Sequence, residues 1–441
     1  MKKIKIPEAA EKIIDILNSN GYDAYVVGGC VRDSLIGKEP NDWDITTSAL
    51  PMQVKCLFKK TIDTGLKHGT VTVLMDGDQY EITTYRIDGD YSDGRHPDSV
   101  SFTGLLSEDL KRRDFTINAM AYHPKEGMVD LFGGEEDIKN AVVRCVGNAE
   151  HRFNEDALRM MRAIRFAAQL GFTIEDKTYE AICKLSDTLR KISSERIRDE
   201  MVKLLVSDNP GNFNMFYLTG LTKVFMPEFD AIMTTKQNHV HHCYDVGEHT
   251  LHAIENIRKN KVLRLTMLFH DIAKPLTLSV DENGITHFYG HPLKSKEIAE
   301  KIMNRLNFDN DTINTTCALV SYHDLDIGCD LKSVRKVLSK IGREVFPLLL
   351  EVKEADVYAQ SDYMKREKLD TINKLRELYE AVMSKEDCVS IKQLAVKGND
   401  LIASGIKQGP EIGLILSKML EDVIDNPEHN NKEYLLGEYV K

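Results

Sequence analysis

Two different spacings of apolar residues divide the chain near residue 149. Before that point, short apolar runs alternate with helical patterns. A helix is predicted over roughly residues 8–18, a strand in AYVVGG, a helix beginning at VRDSLIG and a further strand in WDITTS. The stretch VTVLMDGDQYEITTYR is typical of a β-hairpin, because two β-branched runs flank an Asp-Gly turn. The first third is therefore predicted to be a small mixed α/β domain.

After residue 149 the strand patterns nearly disappear. The segment EDALRMMRAIRFAAQLGF has apolar residues at helical spacing and is predicted to end at Gly171. One helix after another follows, joined by loops rich in Asn, Pro and Gly. In the tail, Gly409-Pro410 predicts a tight turn into a helix, so the tail is expected to form a helical hairpin. The predicted fold class is α+β, with a mixed head and an all-α body and tail.

Length, composition and charge argue against several classes of protein. A length of 441 residues suggests about three domains. No apolar run approaches the ~20 residues that cross a bilayer, and the N-terminus lacks a signal-peptide pattern, so we expect a cytoplasmic protein without a membrane partner. The eight cysteines are scattered and form no CxxC pair, which argues against a zinc knuckle or a disulfide framework. The net charge of −11 argues against nucleic-acid binding through bulk charge, but Arg and Lys cluster locally.

Two features in the first third indicate phosphate and metal chemistry. Gly28 and Gly29 end a strand and precede Arg32, a pattern that lets backbone N–H groups and a guanidinium approach a phosphate. Asp42 and Asp44, at i and i+2 of a predicted strand, project from one face and suit Mg²⁺ bound together with substrate phosphates. Alone, the glycines are more often a tight turn and the aspartates a solvated strand end. In succession they match the layout for phosphoryl transfer with two metal ions.

Four ordered motifs extend this pattern. GGCVRD, DWDI, LKRRDFTINAM and EDALRMMRAIRFAAQLGF together resemble the class II tRNA nucleotidyltransferase and poly(A) polymerase family, strongly over residues 20–205. The resemblance implies a bacterial CCA-adding enzyme that builds the 3′ CCA end of tRNA from CTP and ATP. It implies Mg²⁺ at Asp42 and Asp44, with Glu81 as a candidate third carboxylate. The residues that it implies for nucleotide binding are Gly28, Gly29, Arg32, Arg113, Asp156, Arg159, Arg162 and Arg165.

The last of these motifs suggests how bases are chosen. Asp156 and Arg159 are three apart in a predicted helix, so both can face one pocket. Cytosine and adenine both offer an amino donor beside a ring-nitrogen acceptor, which a carboxylate and a guanidinium complement. Uracil and guanine would leave a carbonyl facing the carboxylate, at about 1–3 kcal/mol per unpaired group. The alternative is a solvated salt-bridge face on an amphipathic helix.

A polar segment, residues 88–97, links the hairpin to the RRDFTINAM motif and is predicted to be mobile. In the resembling family a flexible loop here assists the change from C to A addition. An ordinary surface loop remains the alternative.

A histidine set in the middle of the chain indicates a second site. It resembles the HD phosphohydrolase domain, which implies His249, His270, Asp271 and Asp356 as ligands of a transition metal. His291 and His323 are left for either a second metal or a substrate phosphate. The implied activity is hydrolysis of phosphomonoesters or cyclic phosphodiesters. A scaffold that keeps the ligands without activity is the alternative.

The predicted domains are residues 1–148 (head), 149–215 (neck with the selecting helix), 216–365 (HD-type domain) and 366–441 (a tail that binds tRNA). An A-adding enzyme or a poly(A) polymerase is the alternative within the family. An HD-type nucleotide hydrolase and a non-catalytic RNA-binding protein are alternatives of other classes. The sequence leaves the oligomeric state open.

Overall fold

The computed structural model describes residues 4–89 and 99–440 of the chain. Two compact units divide at residue 230: Met1–Asp230 and Ala231–Lys441. The first holds a mixed head and the second is mainly helical, which confirms the predicted fold class. The finer domain boundaries at residues 148, 215 and 365 stay predictions. Residues 90–97 of the predicted mobile loop lie outside the described residues.

The head is built on a seven-stranded sheet of order β3-β4-β5-β2-β1-β8-β9. The hairpin predicted around Asp76 and Gly77 is confirmed as β4 and β5. The strands of the first unit are β1 Ala24–Val27, β2 Ile45–Thr47, β3 Thr61–Gly65, β4 Thr70–Met75, β5 Asp78–Thr84, β6 Arg86–Asp88, β7 Val100–Phe102, β8 Met120–His123, β9 Gly127–Asp130, β10 Val142–Val143 and β11 Thr173–Ile174.

The central strands of the sheet pair in a fixed register, and this register positions the predicted carboxylates. β2 pairs antiparallel with β1 and parallel with β5, with Ile45 opposite both Val26 and Ile82. These three side chains are fully or almost fully buried in one apolar core. A one-residue slip would turn them to solvent, so burial fixes which strand ends lie side by side.

Among the described residues, eleven helices lie wholly in the first unit, and a twelfth continues from the first unit into the second. They are α1 Glu8–Ser19, α2 Gly29–Leu35, α3 Pro51–Leu57, α4 Leu106–Lys111, α5 Gly134–Lys139, α6 Ala149–Glu155, α7 Leu158–Leu170, α8 Asp176–Leu185, α9 Ser194–Leu205, α10 Asn214–Leu218, α11 Thr222–Phe225 and α12 Pro227–Met233. α1 buries Ile13, Ile14 and Leu17 completely against the sheet core, as its helical spacing predicts.

The helix predicted through EDALRMMRAIRFAAQLGF is wrong at its start. α6 ends at Glu155 and α7 begins at Leu158, with Asp156 extended between them (φ −143°, ψ 104°). The Asp156 carboxylate accepts a hydrogen bond from the Leu158 N–H at 3.0 Å, so it caps the second helix instead of continuing the first. The predicted end of α7 is confirmed: Gly171 adopts a left-handed conformation (φ +70°).

The second unit is helical apart from one short hairpin, β12 Leu278–Val280 and β13 Thr286–Phe288. Its helices are α13 Val246–Glu255, α14 Lys261–Phe269, α15 Lys274–Thr277, α16 His291–Arg305, α17 Asn310–Tyr322, α18 Leu331–Ile341, α19 Phe346–Tyr358, α20 Lys365–Ser384, α21 Gly398–Ala403, α22 Pro410–Asp425 and α23 Lys432–Tyr439. α21 and α22 contact each other, and Pro410 opens α22 as the sequence predicts.

Two further findings concern cysteines and membrane spans. All eight cysteines are free thiols in the structure. In the described part of the chain, no helix combines the length and apolar character that crossing a bilayer requires.

Candidate active sites

The glycine turn of the head lies between β1 and α2. Gly28 has φ +83°, a conformation that side chains with a Cβ rarely adopt. A Cβ at this position would lie 2.9 Å from the Arg113 Nη1, so even a methyl group would collide with the guanidinium. Glycine is therefore required both for the turn and for the close approach of Arg113.

The predicted carboxylate pair lies beside this turn, just before β2. The Asp44 carbonyl accepts a hydrogen bond from the Val27 N–H at 3.0 Å, which places the strand entrance next to Gly28. Asp42 and Asp44 are both exposed. The parallel register that pairs Ile45 with Ile82 brings Asp44 level with Glu81, which is exposed on β5.

The electrostatics of this group suit a divalent cation. Desolvation by the surrounding protein raises the pKa of Asp44, although its edge reaches solvent. The negative charges of Glu81 and Asp42 raise it further, and Arg113 opposes them. Carboxylates that disfavour one another's ionisation are stabilised when a hard cation neutralises them, so the residues present fit Mg²⁺.

Arg113 is held above the turn by its own ion pair. Its Nη2 lies 3.4 Å from the Asp109 Oδ2, and Asp109 is completely buried. Arg112 donates to the Asp109 Oδ1 from Nε (3.0 Å) and Nη2 (2.7 Å), and Thr46 donates to the Oδ2 at 3.1 Å. The sequence analysis missed Asp109, although its position three and four residues before Arg112 and Arg113 was a usable signal.

Three predicted arginines surround the ring of Phe166. The guanidinium carbons of Arg32, Arg162 and Arg165 lie 5.1, 5.3 and 3.8 Å from its centroid. Arg32 donates to Asn118 (2.5 Å) and Arg165 to Glu200 (2.5 Å), and both arginines are buried. Arg165 thus packs between α7 and α9, and its predicted contact with nucleotide stays a prediction.

Arg162 forms an ion pair with Asp114, and it is the most accessible of the three arginines. It donates to the Asp114 Oδ2 through Nε (2.9 Å) and Nη2 (2.6 Å). Burial alone would raise the pKa of Asp114, but the charge and hydrogen bonds of Arg162, together with Arg159, lower it to about 2.

The predicted base-selecting residues each have a partner that holds them. Arg196 on α9 donates to Asp156 at 2.8 Å. Arg159 donates to Glu155 (2.5 Å) and, through its other terminal nitrogen, to the Arg112 carbonyl (3.2 Å). The sequence analysis did not identify these partners: Glu155 lies four residues before Arg159, a usable local signal, whereas the contact of Arg196 with Asp156 spans 40 residues and depends on the fold.

The second unit brings all six predicted histidine-site residues together. Five of them form two groups that share Asp271, and within each group the ligand atoms lie within 4.8 Å of one another. The groups are His249, His270 and Asp271, and Asp271, His291 and His323. Asp356 joins the first group, with its Oδ1 2.9 Å from the His249 Nε2. The four imidazoles and Asp271 are buried.

The ring orientations are fixed by the backbone. Each imidazole places its Nδ1 against a carbonyl: His249 on Ala359 (3.1 Å), His270 on Met267 (2.7 Å), His291 on Phe288 (2.8 Å) and His323 on Val320 (2.8 Å). An Nδ1–H that donates to a carbonyl leaves the Nε2 lone pair as an acceptor. These nitrogens face each other in two pairs, at 3.1 Å and 3.2 Å.

Facing lone pairs repel unless a proton or a cation lies between them. Burial would lower the pKa of His270, but Asp271 and Asp356 raise it to about 10, so the first pair can share a proton. Burial and the neighbouring His270 lower the pKa of His323 to about 3. Neutral imidazoles combined with carboxylates are the ligands that transition metals prefer, so this group also fits a metal.

Asp271 connects the two groups. Its Oδ1 lies 3.2 Å from the His291 Nε2, and its Oδ2 lies 3.2 Å from the His270 Nε2. One carboxylate therefore presents a separate oxygen to each histidine pair, an arrangement that can bridge two cations. Lys274 also approaches the Oδ2, at 2.7 Å.

A cavity of about 670 Å³ opens onto Asp271, His291, His323 and Asp356. Its walls include residues that the sequence analysis passed over, among them Lys274, Lys368, His241 and His242. The run HVHHC was a usable signal, since it places three histidines within four residues and imidazole is a common metal ligand.

Comparisons with known proteins place these sites in context. Three family models match: the poly(A) polymerase head domain over residues 24–144, a probable RNA and SrmB-binding site of polymerase A over 171–233, and a putative tRNA nucleotidyltransferase domain 2 over 277–438. The first of them contains the glycine turn and the carboxylates.

Relatives match along the whole chain. The CCA-adding enzyme of Lactobacillus johnsonii is 37% identical over 448 residues, which cover 100% of this chain and 99% of the relative. That of Levilactobacillus brevis is 35% identical, over 98% of this chain and 96% of the relative. The crystal structure of the Bacillus stearothermophilus CCA-adding enzyme in complex with CTP is similar with a TM-score of 0.73 and 31% identity, covering 98% of this chain and 96% of that one.

Proposed function

This chain belongs to the CCA-adding enzyme family, and from that premise we propose that its head performs template-independent addition of CCA to the 3′ end of tRNA from CTP and ATP. One observation carries the assignment to this site: exposed Asp44, immediately before β2, lies level with exposed Glu81 on β5, beside a glycine that leaves room for Arg113. An RNA end and a triphosphate need an accessible, charged site of this kind.

Enzymes of this family use divalent metal ions, and we propose two Mg²⁺ ions held by Asp42 and Asp44, with Glu81 as the third carboxylate. When bound, these ions supply acidification of the RNA 3′-hydroxyl and charge neutralisation at the triphosphate. Arg113 contacts the phosphates over Gly28, where a guanidinium can donate two parallel hydrogen bonds. Gly29 and Arg32 complete the phosphate contacts, and Arg162 and Arg165 complete the pocket. The proposed location is the cytoplasm.

Base selection falls to Asp156 and Arg159. Arg196 donates to both oxygens of the Asp156 carboxylate, and Glu155 holds the Arg159 guanidinium, so both side chains are held in fixed orientations. Asp156 accepts from the amino group of cytosine or adenine, and Arg159 donates to the adjacent ring nitrogen. Preorganisation by the partners reduces the entropy lost on binding.

Incorporation of nucleotides into a tRNA that lacks CCA tests this proposal. With CTP and ATP supplied singly and together, we expect CC from CTP alone and CCA from both. Growth of long A tails would identify a poly(A) polymerase, and addition of a single A only to a CC end would identify an A-adding enzyme. Asp156→Ala and Arg159→Ala should admit UTP or GTP, and full discrimination in both variants would exclude a side-chain template.

A second function is proposed for the histidine site: metal-dependent hydrolysis of phosphomonoesters or cyclic phosphodiesters, as in the HD phosphohydrolases that it resembles. The observation in its favour is the pair of facing Nε2 atoms on each side of Asp271. His249, His270, Asp271 and Asp356 would hold one transition metal, and His291 and His323 would share Asp271 with a second. Such ions supply a hydroxide-like nucleophile and a Lewis acid when bound.

Metal content and phosphate release test this second function together. After loading with Mn²⁺, Co²⁺ or Ni²⁺ and dialysis, the wild-type chain should retain metal and release phosphate from a 3′-phosphorylated nucleotide. Asp271→Asn should lose most of both. Retention of metal without phosphate release by the wild-type chain would leave a scaffold role as the better interpretation.

A further inference from the structure

We propose that the cavity beside the histidine site carries an anion subsite centred on Lys368, which binds the last phosphodiester of an RNA whose terminal 3′-phosphate is hydrolysed at the histidines. This inference rests on the second proposed function and names its substrate as an RNA end instead of a free nucleotide.

Lys368 is a cavity-lining cation that only neutral groups contact. Its Nζ donates to the Gln360 Oε1 (2.5 Å) and lies 3.1 Å from the His241 Nδ1. Within the described part of the chain, no carboxylate lies at ion-pairing distance from it. Its helix neighbours differ: Lys365 pairs with Asp362 at 3.3 Å and Lys374 with Glu377 at 2.8 Å. An ammonium without a counter-ion on a cavity wall is a binding position for an anionic ligand.

Two hydrogen bonds and one close contact connect this lysine to the histidine site. Lys368 donates to Gln360, the Gln360 Nε2 donates to the Asp356 Oδ2 at 2.8 Å, and the Asp356 Oδ1 lies 2.9 Å from the His249 Nε2. One amide thus separates the cation from Asp356, a proposed metal ligand. Lys368, Asp356 and Asp271 line one cavity, so a ligand that carries two phosphates can address the cation and the proposed metal site together.

Aromatic rings lie in the wall of the same cavity and directly beside it. Tyr289 is 76% exposed and stacks on His287 with an interplanar angle of 6°. Tyr363, also exposed, packs against His241, the imidazole that contacts Lys368. Exposed rings beside a phosphate-binding cation are typical of single-stranded RNA sites, where bases stack and the backbone is neutralised. This combination favours an RNA end over a phosphoprotein.

Burial supports an anionic occupant. Desolvation lowers the pKa of Lys368, while Asp356 and Asp324 oppose this shift from a longer distance. A phosphodiester brought beside the ammonium would replace the lost hydration with a charge-assisted hydrogen bond.

The proposed reaction is a simple hydrolysis. The bond between the terminal phosphorus and the RNA 3′ oxygen breaks, and a water oxygen forms the new bond to phosphorus. One water proton ends on the 3′ oxygen, so the products are a 3′-hydroxyl and inorganic phosphate.

Steady-state phosphate release from the Mn²⁺-loaded full chain tests the subsite. The substrates are a 3′-phosphorylated hexaribonucleotide and adenosine 3′-phosphate. We expect the wild-type kcat/KM to favour the oligonucleotide, and Lys368→Gln to reduce that preference about 10-fold, mainly through KM. Lys374→Gln, on the same helix, should leave the preference unchanged. Equal use of both substrates by the wild-type chain, or an unchanged preference in Lys368→Gln, would overturn the subsite.

Binding separates this inference from hydrolysis itself. If the wild-type chain releases no phosphate from either substrate, the second proposed function fails. The subsite is then judged by equilibrium binding of the same hexaribonucleotide with a 3′-phosphorothioate. Equal affinity for the wild-type chain and Lys368→Gln would refute it, and a loss of about 10-fold would support it as a binding site.

Discussion

At Gly28, one absent methyl group makes room for the Arg113 guanidinium over the proposed phosphate site. We expect Gly28→Ala to lower nucleotide transfer roughly 100-fold, since small misplacements of positioning groups have effects of this size. Gly37→Ala is the matched control, because Gly37 also has positive φ (+80°) but a Cβ there would meet nothing within 4 Å. Single-turnover CMP incorporation measures both variants. Equal losses in the two would mean that backbone strain, and not Arg113, is responsible.

Asp44 is expected to be the most sensitive side chain of the head. Asp44→Asn removes the charge but keeps the shape, and should reduce transfer by roughly 10³-fold or more while tRNA affinity is kept. Incorporation assays and gel-shift titrations with tRNA separate the two effects. Asp76→Asn, in the exposed β4–β5 turn, is the control. If the Asp44→Asn variant transferred nucleotides at the wild-type rate, the proposed site would be wrong.

Among the connections between elements, the pair of Asp114 and Arg162 joins the RRDFTINAM segment to α7. The pKa of Asp114 is lowered to about 2, so the carboxylate adds stability above its ordinary pKa. That contribution, about 2 kcal/mol, should disappear as the pH falls from about 4 to about 2.

Asp114→Asn should therefore flatten the acid dependence of the free energy of unfolding. Trp43 is the single tryptophan and packs against the head core, so its fluorescence reports on this unit. Asp187→Asn, at an exposed position, is the control. An unchanged acid slope in Asp114→Asn would show that this pair does not set it.

The elements that follow from local spacing were predicted well. The β4–β5 hairpin, α1, the strand before Gly28 and the end of α7 at Gly171 all follow from residues close in sequence. The break at Asp156 did not, because the apolar spacing continues through it while the carboxylate caps the next helix. Nor did the pairing of Arg196 with Asp156, because these residues lie 40 positions apart in the chain. Asp109 and Glu155 lie three or four residues from their arginines, a spacing that allows a pair, but this spacing does not show which pairs lie at the site. The histidines were found by residue type, whereas their pairing about Asp271 required the fold.

Taken as a whole, the molecule carries its two proposed sites in separate compact units, Met1–Asp230 and Ala231–Lys441. We expect the two activities to be lost independently. A His270→Ala/Asp271→Ala variant should retain CCA addition within about 2-fold while phosphate release disappears, and Asp44→Asn should show the reverse. Parallel assays on one preparation of each variant test this. Loss of both activities in either variant would mean that the sites are coupled or that the variant is misfolded, which circular dichroism distinguishes.

The positions of the four imidazoles on different helices have a consequence for thermal stability. Their ring nitrogens come from α13, from the ends of α14 and α17 and from the start of α16, and Asp356 adds α19. Metal ions bound at the two groups would join five helices, the first ion through α13, α14 and α19 and the second through α16 and α17. Because only the folded chain brings these ligands together, the thermal stability of the helical unit should increase with the logarithm of the free metal concentration. In cells with little of that metal, the enzyme would then be less stable, even if nucleotide transfer to tRNA is unchanged.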